Sequence, residues 1–205
     1  MQIYIYDIIF NTSKWHSHHK GGSRHMWYVV QTTNGQEDTA IEKCRQAIPV
    51  EVADKIFSPS YEGMRKYQGE WHIEINKLFP GYVFIQSENA DPLEMYLEHL
   101  SGTVTPVQIG GGFYPIRTEE QIFLMEMLDS DNCVRYSLGY IVDGKLVVER
   151  GPLSGKTDHV RKIDRHKRIA NLMIRLFGQD RQIRVGLEIP ARLTAAEYQQ
   201  QKAAT

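Results

Sequence analysis

Two runs near the C-terminus place an apolar residue at every second position. Ala170, Leu172, Ile174 and Leu176 form the first; past Gly178, Ile183, Val185, Leu187 and Ile189 form the second. A period of two puts every second side chain on one face of an extended strand, whereas a helix would scatter the same residues around its surface. Both runs therefore predict strands with one buried face. Shorter strands are expected at 146–148 and 160–164, with turn chemistry at Gly151-Pro152 and Ser154-Gly155 between them. Several short strands in so few residues predict a small β-barrel over 139–193.

Upstream the period changes. Residues 27–31 are aromatic and β-branched, a strand. Asn34-Gly35-Gln36-Glu37 offers an N-cap with an acid three residues later, and Ala40, Ile41, Cys44 and Ile48 then recur at helical spacing until Pro49. Ile56-Phe57 marks a strand, and Gln68-Gly69 a turn. Trp71, Ile73 and Ile75 alternate on the return strand, and 82–85 is a short apolar run expected at the centre of a sheet. Asp91-Pro92-Leu93-Glu94 predicts a helix with proline at its first position, burying Leu93, Tyr96, Leu97 and Leu100. Val104, Val107 and Ile109 suit another strand, and Thr118-Glu119-Glu120-Gln121 reads as a capping box opening a third helix through Leu128. This order predicts an α+β fold, with helices packed on a mainly antiparallel sheet over 26–128. Residues 129–138 are polar and unpatterned and read as a linker. The Gln/Ala-rich tail, 194–205, reads as frayed or weakly helical.

Residues 1–25 look foreign to the rest of the chain. They hold Gly21-Gly22-Ser23 and a loose group of His16, His18, His19 and His25 just before Met26. They read as an upstream extension outside the fold, with Met26 a natural start; the run 3–10 reads alternatively as an ordered strand. No cysteine or carboxylate set completes a site around the histidines, so no metal is expected.

The net charge of −1 hides an asymmetry. Residues 26–130 carry seven Lys/Arg against sixteen Asp/Glu, a net of −9; residues 150–193 carry eleven against four, a net of +7. Such a split points to two modules with different partners, or to two domains that attract each other. No apolar run approaches the ~18 residues of a membrane span. Two cysteines, Cys44 and Cys133, are too few for a disulfide framework and fit a reducing, cytoplasmic compartment.

No catalytic constellation emerges. Gly151-Pro152-Leu153-Ser154-Gly155-Lys156-Thr157 resembles a phosphate-binding loop, but three residues separate its glycines where four are needed, Arg150 stands where the first glycine would fall, and a strand follows instead of a helix. A non-enzymatic, monomeric binding protein without cofactor is expected.

Candidate binding residues fall into two groups. In the front domain, Trp27-Tyr28 and Phe79-Pro80-Gly81-Tyr82 would form an apolar patch if their strands are neighbours; each aromatic alone reads equally well as core. In the rear domain, Arg165-His166-Lys167-Arg168 is a basic hairpin tip, and Arg161, Lys162, Arg175, Arg181 and Arg184 add charge. With even positions of 170–176 inside, Asn171, Met173, Arg175 and Phe177 would face out. Cations with an aromatic suit phosphates and base stacking, although basic residues also serve simply as a solvated face.

Here a resemblance becomes specific. Trp27-Tyr28-Val29-Val30-Gln31, Phe79-Pro80-Gly81-Tyr82-Val83, and Gly110-Gly111, Pro115-Ile116 and Glu119-Glu120 in that order resemble the N-terminal domain of NusG-type transcription elongation factors. Gly151-Pro152-Leu153-Ser154-Gly155, Val160, Ile163-Asp164 and Leu176-Phe177-Gly178 resemble that family's KOW domain, an SH3-like small barrel. The resemblance implies that the front domain docks on the clamp helices of RNA polymerase through Trp27, Tyr28, Phe79, Pro80, Gly81 and Tyr82. It leaves the hairpin tip Arg65, Lys66, Tyr67 and Gln68 either near non-template DNA or simply solvated. Leu153 and Gln179 stand where the general factor carries an aromatic and an arginine, which puts coupling to a ribosomal protein or termination factor in doubt. Together with the basic tip, these departures resemble the specialised antitermination paralogs, LoaP among them, and imply that the rear domain recognises a nascent RNA hairpin. The alternatives are a general elongation factor and a ribosome-associated KOW protein.

Overall fold

The structure, a computed structural model, describes residues 25–203. The segment 1–24, with His16, His18, His19 and the run 3–10, lies outside the described residues.

The front half is built on a four-stranded antiparallel sheet. Strand β1 (Met26–Gln31) lies beside β5 (Tyr82–Ser87), which pairs on its other edge with β2 (Lys55–Phe57); β6 (Thr105–Pro106) closes the far side of β1. Period two divides the residues of β1 and β5 between the faces. Tyr28, Val30, Val83 and Ile85 point to one side, where helices α1 (Glu37–Ala47) and α2 (Ala90–Glu98) bury Ala40, Ile41, Cys44, Leu93 and Leu97 against them. Trp27, Val29, Phe57 and Phe84 point to the other, under Leu124 and Met127 of α3 (Thr118–Met127). Cys44 is fully buried and its thiol is pushed up to about 11 by burial, as befits a core residue.

A long hairpin, β3 (Ser60–Tyr67) and β4 (Glu70–Lys77), stands apart as a second sheet. It turns at Gln68-Gly69, both at positive φ, a two-residue turn of the type that matches strand twist. Ser58-Pro59 separates β2 from β3, so one expected strand becomes two.

The rear half is a sheet of order β10-β11-β12-β8-β13, with β9 also on β8. Its strands are β8 (Ser137–Val142), β9 (Lys145–Arg150), β10 (Val160–Asp164), β11 (Ile169–Leu176), β12 (Gln179–Glu188) and β13 (Arg192–Leu193). Ala170, Leu172, Ile174, Leu176, Ile183, Val185, Leu187 and Ile189 are all buried, the pattern that strict alternation predicts. The whole is a mixed helix-and-sheet architecture with four α-helices and one short 3-10 turn, Thr157–His159, among the described residues.

Several local expectations change. Helix α2 is capped two residues early, by Asn89, and starts at Ala90, so Pro92 is its third residue; proline is tolerated there because the first-turn N–H groups have no helical acceptor. Arg117, rather than Thr118, is the N-cap of α3, and only the returning half of a capping box forms, Glu120 Oε2 accepting the Arg117 N–H at 3.2 Å. The strand expected from 104 to 109 shrinks to two residues around Pro106, which has no N–H to give a ladder. Residues 129–138 are ordered. Asp129 accepts the Asp131 and Cys133 N–H groups, β7 (Cys133–Val134) pairs in parallel with Ser60-Tyr61, and β8 has begun by Ser137. The tail carries α4 (Ala195–Ala203), opened by a reciprocal Thr194–Glu197 capping box and pinned by Tyr198 against Tyr140.

Candidate functional site

The Phe79–Tyr82 turn is held by a carboxylate that the sequence flags only as a helix-capping acid. Glu37, 2% exposed at the start of α1, accepts the Gly81 N–H at 2.5 Å and the Gly35 N–H at 3.1 Å. Burial raises its pKa, but these amides and the Lys77 charge outweigh that and hold it below the ordinary 4.5. Gly81 sits at φ +82°, and a Cβ there would meet the Thr32 carbonyl at 3.2 Å, so this turn requires glycine.

The six residues expected in the front-domain patch divide. Trp27 and Tyr28 are consecutive in β1 and face opposite sides of the sheet; Tyr28 is in the helix-covered core with Phe113. Trp27, Phe79 and Tyr82 share the other face, joined by Phe57 and Phe84. Trp27 meets Phe57 and Phe84 edge-on at 5.1 and 6.0 Å, and Phe79 lies 5.6 Å from Phe84. Pro80 is exposed at the rim and Gly81 is buried. Phe84 is detectable in principle, since it follows Tyr82 by two in the same strand.

Helix α3 covers the Trp27 end of this face; the rear half covers the Tyr82 end. Phe177 lies 5.5 Å from Tyr82 and 6.1 Å from Phe84. The sequence expectation placed Phe177 on the outward face by continuing the alternation. The strand ends at Leu176, however, and Phe177-Gly178 form a two-residue turn with φ of +57° and +72°. Parity fails at the turn, and the ring is buried. A non-glycine residue there costs about 1–3 kcal/mol, and burial of its ring against the front half offsets that cost. Arg181 lies over both Tyr82 and Phe177, at 5.2 and 4.7 Å, and donates to the Tyr82 hydroxyl at 3.3 Å. The Gly178 N–H donates to Glu120 at 3.5 Å.

The rear-half cations are likewise split. Arg161, Lys162, Arg165, His166, Lys167 and Arg184 are exposed. Lys162, Asn171 and Arg184 stand in register across β10, β11 and β12, an outward polar row. Arg175 is exposed, folded back on the Gly178 carbonyl. Arg168 and Arg181 turn toward the front half: Arg168 stacks on Trp71 at 4.2 Å and pairs with Glu188 at 2.8 Å. In the front hairpin tip, Arg65 pairs with Glu74 at 3.3 Å, Gln68 donates to the Tyr67 hydroxyl, and Lys66 is exposed. The loop that resembled a phosphate cradle is a turn with Leu153 fully buried and Lys156 paired to Glu126 at 3.0 Å. Among the described residues, no group of three or more His, Cys, Asp or Glu is placed to hold a metal, and no helix is long and apolar enough to cross a membrane.

Residues 25–125 match the family model NusG, described as transcription termination factor nusG. The transcription termination/antitermination protein NusG of Thermus thermophilus is 29% identical over 171 residues, covering 75% of this chain and 91% of its own. That of Staphylococcus aureus is 21% identical over 167 residues, covering 78% and 91%. A solved structure described as domain interaction in Thermotoga maritima NusG covers 81% of this chain and 96% of its own at 20% identity and a TM-score of 0.49, a slight likeness. With its front half matched by the family model and most of its length aligned to NusG proteins, the chain is similar to the NusG family.

Proposed function

We propose that this protein is a transcription elongation and antitermination factor of the cytoplasm. Its front half docks on the clamp helices of RNA polymerase, and its rear half, read as a KOW domain, binds a hairpin in the nascent leader RNA so that polymerase passes downstream terminators. The NusG relatives, described as termination/antitermination proteins, support the general activity.

The observation that carries the reading is the aromatic face of Trp27, Phe79, Tyr82 and Phe84, whose Tyr82 end is roofed by a single turn of the rear half instead of by a front-half helix. Such a face, set in an acidic half, suits a basic partner with apolar side chains. Tyr28 belongs to the core and supports the site from behind. For RNA, the row Lys162–Asn171–Arg184 and the turn Arg165-His166-Lys167 offer phosphate contacts. Lys66 and Arg65 at the front hairpin tip would be the groups to meet non-template DNA.

In the arrangement seen, Phe177 occupies the docking face, so polymerase and the rear half exclude one another there. Pull-down of core polymerase with the full-length protein tests this. Tyr82→Ala should weaken capture and Phe177→Ala should strengthen it, with read-through of a terminator following in both cases. Wild-type capture by Tyr82→Ala would remove the face from the reading.

A further inference from the structure

We propose that strand β4 is the interface for a second copy of this chain, the two copies joined edge to edge in an antiparallel pairing centred on Ile73.

The hairpin β3–β4 has one free edge. The outer edge of β3 is taken: β7 pairs with Ser60-Tyr61, and the Glu62 carboxylate accepts the Tyr136 N–H at 2.8 Å. Strand β4 is the other edge of this sheet and pairs with β3 alone. The hairpin closes on a two-residue turn, so the pair beside the turn, Tyr67 and Glu70, exchanges hydrogen bonds, as does every second pair after it. Glu70, His72, Glu74 and Asn76 thus turn their backbone groups to β3, while Trp71, Ile73 and Ile75 turn theirs outward. Native edges are guarded by a proline, a bulge or a lysine along the strand. Strand β4 has no proline, its only lysine is its last residue, and its register with β3 runs from end to end without a shift. The side chains of Ile73 and Ile75 are exposed on one face, and Met64, directly across from Ile73, is half-buried.

The occupant follows from the register. Outward backbone groups must meet outward groups, so odd-numbered residues of one copy stand opposite odd-numbered residues of the other. Centring the pair on His72 sets Glu70 against Glu74. Centring it on Glu74 sets Glu74 against itself and Trp71 against Lys77. Centring it on Ile75 leaves only Ile73–Lys77 paired. Centring it on Ile73 pairs Glu70–Asn76 with no like charges opposed: Ile73 meets Ile73, Trp71 meets Ile75, His72 meets Glu74, and Glu70 meets Asn76. Like charges directly opposite destabilise a sheet, whereas aromatic–β-branched and opposite-charge pairs stabilise it. His72 and Glu74 fall at the non-hydrogen-bonded positions, where side chains come closest. Glu74 then has a partner on each side, Arg65 of its own chain at 3.3 Å and His72 of the second copy. Two-fold symmetry repeats every one of these contacts except the central one. The joined hairpins form one four-stranded sheet, with the Lys66-Tyr67 tips at opposite ends. The contact is small and belongs with weak, concentration-dependent interfaces. In dilute protein the edge is solvated.

Sedimentation of the full chain from roughly 1 to 300 µM reads the association. The mass is expected to rise from that of one chain toward that of two. Ile73→Lys sets two cations face to face at the symmetry axis, and Ile73→Glu sets two anions there; each should weaken association roughly tenfold or more. The Ile73 side chain is exposed, so neither change disturbs the fold. An equimolar mixture of the two variants should recover association close to that of the parent, since opposite charges then meet at the axis. A parent that sediments as one chain throughout overturns the proposal. Association that survives Ile73→Lys overturns it too, because the contact then lies elsewhere. A mixture that stays dissociated rules out this register, and the proposal with it.

Discussion

The hairpins β3–β4 and β11–β12 share one design and meet opposite fates. Each is a pair of antiparallel strands closed by a two-residue turn at positive φ, Gln68-Gly69 in one and Phe177-Gly178 in the other. Each has a strand of alternating apolar residues. In β12, Ile183, Val185 and Leu187 are buried; in β4, Ile73 and Ile75 are 61% and 57% exposed. Alternation therefore defines a strand and its two faces, while cover for the apolar face must come from a second layer. The rear sheet curls over its own face. The front hairpin reaches beyond its sheet: Tyr61 at its base is buried in the core and Trp71 lies beneath Arg168, while Ile73 and Ile75 find no such cover. The turns differ in the same way: a glutamine solvated at the tip of one, a phenylalanine buried against the opposite half in the other.

Three variants press on this comparison. Leu172→Ala, in the covered face of β11, should cost about 3 kcal/mol in chemical denaturation; a loss below ~1 kcal/mol would mean the rear core is looser than its burial implies. Glu37→Gln should cost about 1–2 kcal/mol, since a charged acceptor of two amides becomes neutral, and it should weaken polymerase capture through the Phe79–Tyr82 turn. Its pH dependence gives the sign. The folded pKa lies below the ordinary 4.5, so the carboxylate's contribution is complete above that value and fades as pH falls through the lower, folded value. The parent protein should lose stability in that acid window more steeply than Glu37→Gln; parallel titrations would show that the hydrogen bonds are not formed in solution. The smallest effect belongs to Ile73→Ser with Ile75→Ser, expected within about 0.5 kcal/mol of the parent. A larger loss would reveal cover over β4 that the structure does not contain.

Much of the architecture was legible because burial imposed a period. The rear strands, the α1 stripe of Ala40, Ile41 and Cys44, and the inward Leu93 and Leu97 all follow from spacing. What was not legible depends on long-range partners. Phe177 could be placed only once the chain was known to turn there. Arg168 looks like its neighbours in the basic run until Trp71 stacks beneath it. Glu37, one of sixteen front-half acids, reads from the sequence as a helix-capping acid, and its hold on the second turn shows only in the amides of Gly35 and Gly81. Asp129, Asp131 and Arg135 looked like polar filler because ion pairs leave no periodic trace.

That last cluster bears on how far the halves can travel. Arg135 is clamped by Glu62, Asp129 and Asp131, and β7 is stitched to β3. Only Arg135 and Tyr136 separate β7 from β8, a leash of roughly 7 Å when taut. While the stitch holds, the departing half hovers beside the face it has left, at an effective concentration that favours immediate return. A durable swing needs the stitch undone, which releases the chain from 129 to 136, about 27 Å at full stretch. The junction is thus a ratchet pawl: lasting separation waits for Arg135 to let go.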